Sequence, residues 1–168
     1  MSNESEPAQD APDHLEVGSG AERRSIERVP DLYAVHAIRR GAPLEHALLT
    51  LDEGEIAVFR RSSGERDAQQ ASTVGPVYEL HPGGSVGVPT GLVFIRFADS
   101  ERVESRRGDL TLAGYDVERL LSYAPNAAWL RHRSGRIEDG LRGMDALRRI
   151  DGVENVEAEL KTVRRARD

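Results

Sequence analysis

Apolar residues run along this chain in two rhythms, a period of two that marks strands and a period near 3.6 that marks helices. In Asp31 to Ile38, Leu32, Ala34, His36 and Ile38 alternate with Tyr33, Val35 and Ala37, so both rows are largely apolar and the segment suits a strand buried on both faces. Pro43 to Leu51 reads either as a short helix with proline in its first turn, the preferred reading, or as the first arm of a hairpin. The hairpin reading rests on the turn signal Asp52-Glu-Gly54 and the following strand Glu55 to Arg60. Ser62 to Gly75 is polar and turn-rich, Pro76 to Leu80 reads as a strand, and His81-Pro-Gly-Gly-Ser85 as a turn. Residues 23–89 are therefore expected to form a small β-rich unit.

The second half is more regular. Leu92-Val-Phe-Ile-Arg-Phe97 is a nearly continuous apolar run, as in a central strand. Asp99 and Ser100 can cap a helix running to about Ala113, with Val103, Leu110 and Ala113 on one side and Gly114 at its left-handed end. Tyr115 to Tyr123 then reads as a strand, Ala124-Pro-Asn126 as a turn and Ala127 to His132 as the partner strand. Ile137, Leu141, Met144, Leu147 and Ile150 recur at helical spacing until Asp151-Gly152, and Asn155 to Leu160 closes the series as a strand. Strand, helix, strand, strand, helix, strand predicts an α+β domain over residues 90–168. Its expected form is a ferredoxin-like βαββαβ antiparallel sheet with two helices on one face.

Charge changes the picture at the N-terminus. The chain holds 29 acidic and 23 basic residues for a net charge of -6. Glu4, Glu6, Asp10, Asp13, Glu16 and Glu22 all precede the first basic residue, and without them acids and bases balance. Residues 1–22 are therefore expected to be a disordered acidic tail. The negative balance disfavours nucleic acid as a partner. No apolar run is long enough for a membrane span or resembles a secretory signal, so no membrane partner and a cytoplasmic location are expected. The absence of cysteine removes disulfides, thiolate nucleophiles and Cys-based zinc sites.

Candidate chemistry is sparse. The Gly-x-Ser-x-Gly spacing occurs only at Gly83–Gly87, ahead of a strand rather than the helix that a nucleophile elbow opens, and His14, His36, His46, His81 and His132 stand far apart in no metal-ligand spacing, so neither an enzyme nor a cofactor site is expected. Gly83-Gly-Ser-Val-Gly87 precedes a strand rather than a helix and reads as a turn, not a phosphate cradle. Arg131-His-Arg-Ser-Gly-Arg136 suits a solvated turn, the alternative being a cluster that meets a phosphate backbone or an acidic protein surface. Lys161-Thr-Val-Arg-Arg-Ala-Arg167 extends the last strand and could add to another protein's sheet or enter a cleft.

Four segments in order carry a resemblance: Leu92 to Phe97, Ala113-Gly-Tyr-Asp-Val117, Tyr123 to Trp129, and Ala146-Leu-Arg-Arg-Ile-Asp-Gly-Val-Glu-Asn-Val-Glu-Ala-Glu159. Over about residues 90–165 the chain resembles the inhibitory propeptide family of subtilisin-like serine proteases, and residues 23–89 with Val88-Pro-Thr-Gly91 look like the extra segment preceding some such prodomains. The resemblance implies a sheet that packs on two surface helices of the protease and a C-terminal extension lying product-like in the active-site cleft. Glu157 and Glu159 match acids that would meet the enzyme's helix N-termini. Lys161, Thr162, Val163, Arg164 and Arg165 would occupy the cleft. The basic end and the residues after Arg165 depart from the family pattern. The implied function is a trans-acting inhibitor or folding chaperone of a subtilisin-like protease. The alternative is a regulatory or assembly module that binds a protein through its sheet without inhibiting.

Overall fold

The computed structural model describes residues 11–38, 44–61, 73–81 and 84–162. It is an α+β protein with mostly antiparallel sheets. The described residues divide into two compact units. Those up to Leu15, from Ile26 to Pro89 and from Leu160 onward form the first, while Glu16–Ser25 and Thr90–Glu159 form the second.

The first unit is built from short strands: β1 (His14–Val17), β2 (Arg24–Arg28), β3 (Leu32–His36), β4 (Leu49–Leu51), β5 (Ile56–Arg60), β6 (Thr73–Gly75), β7 (Tyr78–Glu79) and the start of β8 (Val86–Phe97). An antiparallel sheet runs in the order β4-β5-β3-β6, and β3 sits inside it with Tyr33 opposite Phe59 and Ala34 opposite Val58. Alternation along β3 therefore feeds two cores. Ala34 joins Leu51, Ile56, Val58, Val77 and Val88, while Tyr33 and Val35 join Ala57 and Phe59. The Tyr33 and Phe59 rings stack at 5.7 Å. His36 is the polar exception, only 9% exposed and with no hydrogen-bond partner for Nε2, and its burial pushes the imidazole pKa down from 6.5 to about 4.

Three expectations are corrected in the first 89 residues. The segment after Pro43, which itself lies outside the described residues, forms no helix as far as Leu51. Leu49, Thr50 and Leu51 pair with Val58, Ala57 and Ile56 across the Asp52–Gly54 turn, so burying Leu51 in the Ala34 core outweighs local helix propensity. Thr73–Gly75, read as part of a turn-rich stretch, is a strand paired with β3, and residues 62–72 lie outside the described set. Residues 11–22, expected within a disordered tail, contain β1 and a 3₁₀ turn at Gly20–Glu22, while residues 1–10 are outside the described set. Composition misled there because arginines answer the acids. Arg28 Nη2 donates to Asp13 at 2.7 Å, Arg23 pairs with Glu16, and Leu15 is buried.

The second unit continues β8 and adds α1 (Arg107–Leu112), β9 (Tyr115–Leu121), β10 (Ala124–His132), α2 (Ile137–Arg142), α3 (Met144–Arg148) and β11 (Val153–Thr162). Strand pairing gives the order β11-β8-β10-β9, with β8 and β9 both antiparallel to β10. Helix does not begin at the Asp99-Ser100 cap. A 3₁₀ turn starts at Val103, whose side chain is fully buried, and Arg106 anchors it through Asp109 and the Asp151 carbonyl. Gly114 ends α1 with φ +96, and a Cβ there would lie 2.8 Å from His132 Nε2, so the position excludes other residues twice over. The turn between β9 and β10 falls at Ser122 and Tyr123, one step before the expected Ala124-Pro-Asn126. The apolar stripe from Ile137 is divided into α2 and α3 at Gly143, where the Tyr115 hydroxyl lies 2.5 Å from the place a Cβ would take, so only glycine fits there. That hydroxyl donates to the Gly140 carbonyl, which fixes the ring beneath the break.

Candidate functional site

Alternation gives the sheet of the second unit two unlike faces. Val93, Ile95 and Phe97 of β8 are fully buried, as are Leu130 and Ala128 of β10, which stand opposite Val93 and Ile95. Both helical regions contact this face. The Arg106 guanidinium lies 5.1 Å from the Phe97 ring centroid, and Tyr115, opposite His132 on β10, reaches Gly140 of α2. The intervening residues point the other way: Leu92, Phe94 and Arg96 on β8, and Ala127, Trp129 and Arg131 on β10. Phe94 is directly opposite Trp129, and the rings meet edge to face with centroids 5.4 Å apart, both only half-buried. Two large aromatic groups are thus held by central strands on the face away from the helices.

Charges of both signs rim this pair. Arg96 lies 3.8 Å from Glu154, and Arg131 lies 3.7 Å from Glu118. These ion pairs are exposed and loose, and so contribute little to stability. An aromatic centre inside a mixed polar rim is the composition of a protein-binding surface rather than of a phosphate-binding one. The basic cluster after His132 is answered locally, with Arg133 beside Asp116 at 3.8 Å and Arg136 beside Glu138 at 3.7 Å.

The residues singled out from the sequence fall elsewhere. The Ala98 amide donates to the Gly152 carbonyl at 2.8 Å and Arg96 meets Glu154, so β11 runs antiparallel to β8 and its Glu154 and Val156 share the aromatic face. Glu157 and Glu159 alternate to the opposite face; both are half-buried, and Glu157 accepts a hydrogen bond from Asn155 Nδ2 at 3.2 Å. Lys161 and Thr162 do not leave the sheet as a free tail, because β11 runs through Thr162. Within the first unit, Lys161 Nζ lies 3.7 Å from Asp52 Oδ2. Val163, Arg164 and Arg165 lie outside the described residues. No family model, curated protein or solved structure matches the chain. Its chemistry therefore has to be read from its own residues. Among the described residues, no group of three or more His, Asp or Glu could hold a metal ion, and no helix is long and apolar enough to cross a membrane.

The Phe94–Trp129 pair was not evident in the sequence. Leu92 to Phe97 reads as uniformly apolar, and only the cross-strand register reveals which of its residues share a face with Trp129. The usable signal was Arg96, a charge at the third position of the Leu92, Phe94, Arg96 row.

Proposed function

We propose that this chain is a protein-binding module that docks through the Phe94–Trp129 face, and that its partner is a subtilisin-like serine protease, as the propeptide resemblance implies. The strand order β11-β8-β10-β9 and the helix-covered opposite face support a ferredoxin-like reading of residues 90–162. The observation that carries the binding role is the half-buried aromatic pair on the face away from the helices. Aromatic side chains on rigid strands supply large contact area at small entropic cost, as at interface hot spots. Inhibition or chaperoning in trans would then need a segment that reaches the cleft. With Lys161 and Thr162 held in β11, that segment starts at Val163.

A second reading, a regulatory or assembly module that binds without inhibiting, is favoured by two observations. Glu157 and Glu159 lie off the aromatic face, and Lys161 meets Asp52 of its own chain. Inhibition kinetics against a subtilisin-class protease separate the two readings. The inhibitor reading expects the full chain to inhibit, truncation after Thr162 to abolish inhibition while retaining binding, and Trp129→Ala to weaken binding about tenfold or more. Binding by both forms with inhibition by neither would select the assembly reading. Absence of binding by either would overturn the protease assignment.

A further inference from the structure

A cavity of about 200 Å³ lies within the second unit, between the loop that follows β1 and the start of β11. Gly18, Ser19, Gly20 and Arg23 line one side, and Arg148 with residues 153–156 of β11 lines the other. The loop closes tightly on itself: Gly18 has φ +84, and a Cβ there would sit 2.7 Å from the Glu22 carbonyl oxygen. Ser19 precedes the Gly20–Glu22 turn in an extended conformation, and its hydroxyl makes no capping bond.

Both arginines are positioned without being used up. Arg148 donates from Nη1 to Asp145 at 2.8 Å and from Nη2 to the Val156 carbonyl at a long 3.5 Å. Arg23 gives Nη2 to Glu16. A guanidinium carries five N–H donors in a planar fork, so donors remain on each. Among the lining residues these two cations face a single carboxylate, Glu154, which is itself beside Arg96.

We infer that this cavity binds a small oxyanion of the phosphate class, held by the guanidinium groups of Arg23 and Arg148, the Ser19 hydroxyl and the Asn155 amide. Charge-assisted bonds from two guanidinium forks suit an ion that offers several oxygens at once. The site draws on neither aromatic ring of the sheet face, so it stands or falls independently of partner docking.

The test is a titration of the full-length ¹⁵N-labelled chain with sodium phosphate at constant ionic strength, with sodium acetate and sodium chloride as parallel arms. Phosphate should shift the amides of Gly18 to Arg23, Arg148 and Asn155 in a saturable manner, and Arg23→Gln should weaken the apparent affinity about tenfold. Arg107→Gln, which alters an exposed arginine of α1 remote in sequence from the cavity residues, should change nothing. Arg148→Gln should weaken binding similarly, with its melting curve showing that the variant folds. Shifts that spread without saturation, that acetate reproduces equally, or that survive Arg23→Gln unchanged would overturn the assignment.

Discussion

The two units reach burial by different means. In the second, every described residue with positive φ is a glycine: Gly18, Gly20, Gly91, Gly114, Gly135 and Gly152. In the first, three residues that carry side chains, Ala37, Asp52 and Glu53, occupy the left-handed region, alongside Gly54. The first unit also buries an imidazole whose Nε2 has no partner, while the second buries the Glu138 carboxyl beside Arg136 and the Tyr115 hydroxyl on the Gly140 carbonyl. Local preference and tertiary packing therefore agree through most of the second unit and conflict at several points in the first. Such conflicts cost stability, roughly 1–2 kcal/mol for a single non-glycine left-handed residue. A rigid unit suits a docking face. A unit with stored strain and a buried neutral imidazole is the one that acid can loosen.

Acid should separate the two most strongly. The His36 pKa is lowered to about 4 in the folded chain against 6.5 for an ordinary histidine, so the unfolded state takes up the proton first. The contribution of neutral His36 is complete above about pH 6.5 and is lost as pH falls toward 4, amounting to about 3 kcal/mol. Protection factors of β3 and β5 amides, corrected for the intrinsic slowing of exchange in acid, should fall over that range more than those of β8 and β10 amides, and His36→Leu should remove the difference. An equal fall in both units would break the contrast.

A smaller effect should come from the second unit's glycine positions. Gly114→Ala combines a left-handed backbone with a contact to His132, and should destabilise by about 2 kcal/mol in a denaturant titration. Smaller still and opposite in sign, Ala37→Gly should stabilise the first unit by up to about 1 kcal/mol, because relief of its φ of +55 outweighs the added freedom of the unfolded chain. Destabilisation by Ala37→Gly would show that the left-handed geometry there carries no strain.

The same contrast explains what could be read from the sequence. The strand Leu92 to Phe97, the β9–β10 hairpin and the stripe from Ile137 announce themselves by period, because each is locally consistent with its place in the sheet or against it. The need for glycine at position 143 was hidden because the Tyr115 hydroxyl that crowds it is 28 residues away in sequence. Around Leu44 to Leu51 the leucine spacing imitates a helix, and pairing with β5, a tertiary fact, decides against it. In the acidic N-terminal segment, charge balance spoke for disorder, while Arg23 and Arg28 supply the partners that the composition of residues 1–22 lacks. For the aromatic face, residue types were visible and register was not. Trp129 meets Phe94 only once β10 is aligned on β8.

Trp129 is the single tryptophan of the chain and can report on the face by itself. The chain labelled with 5-fluorotryptophan gives one fluorine resonance, to be followed on adding an active-site-blocked subtilisin-class protease. Docking through the aromatic face predicts that this resonance moves on binding and loses its solvent isotope shift as water leaves the indole. A complex that forms while the resonance keeps both its position and its isotope shift would contradict docking through Phe94 and Trp129.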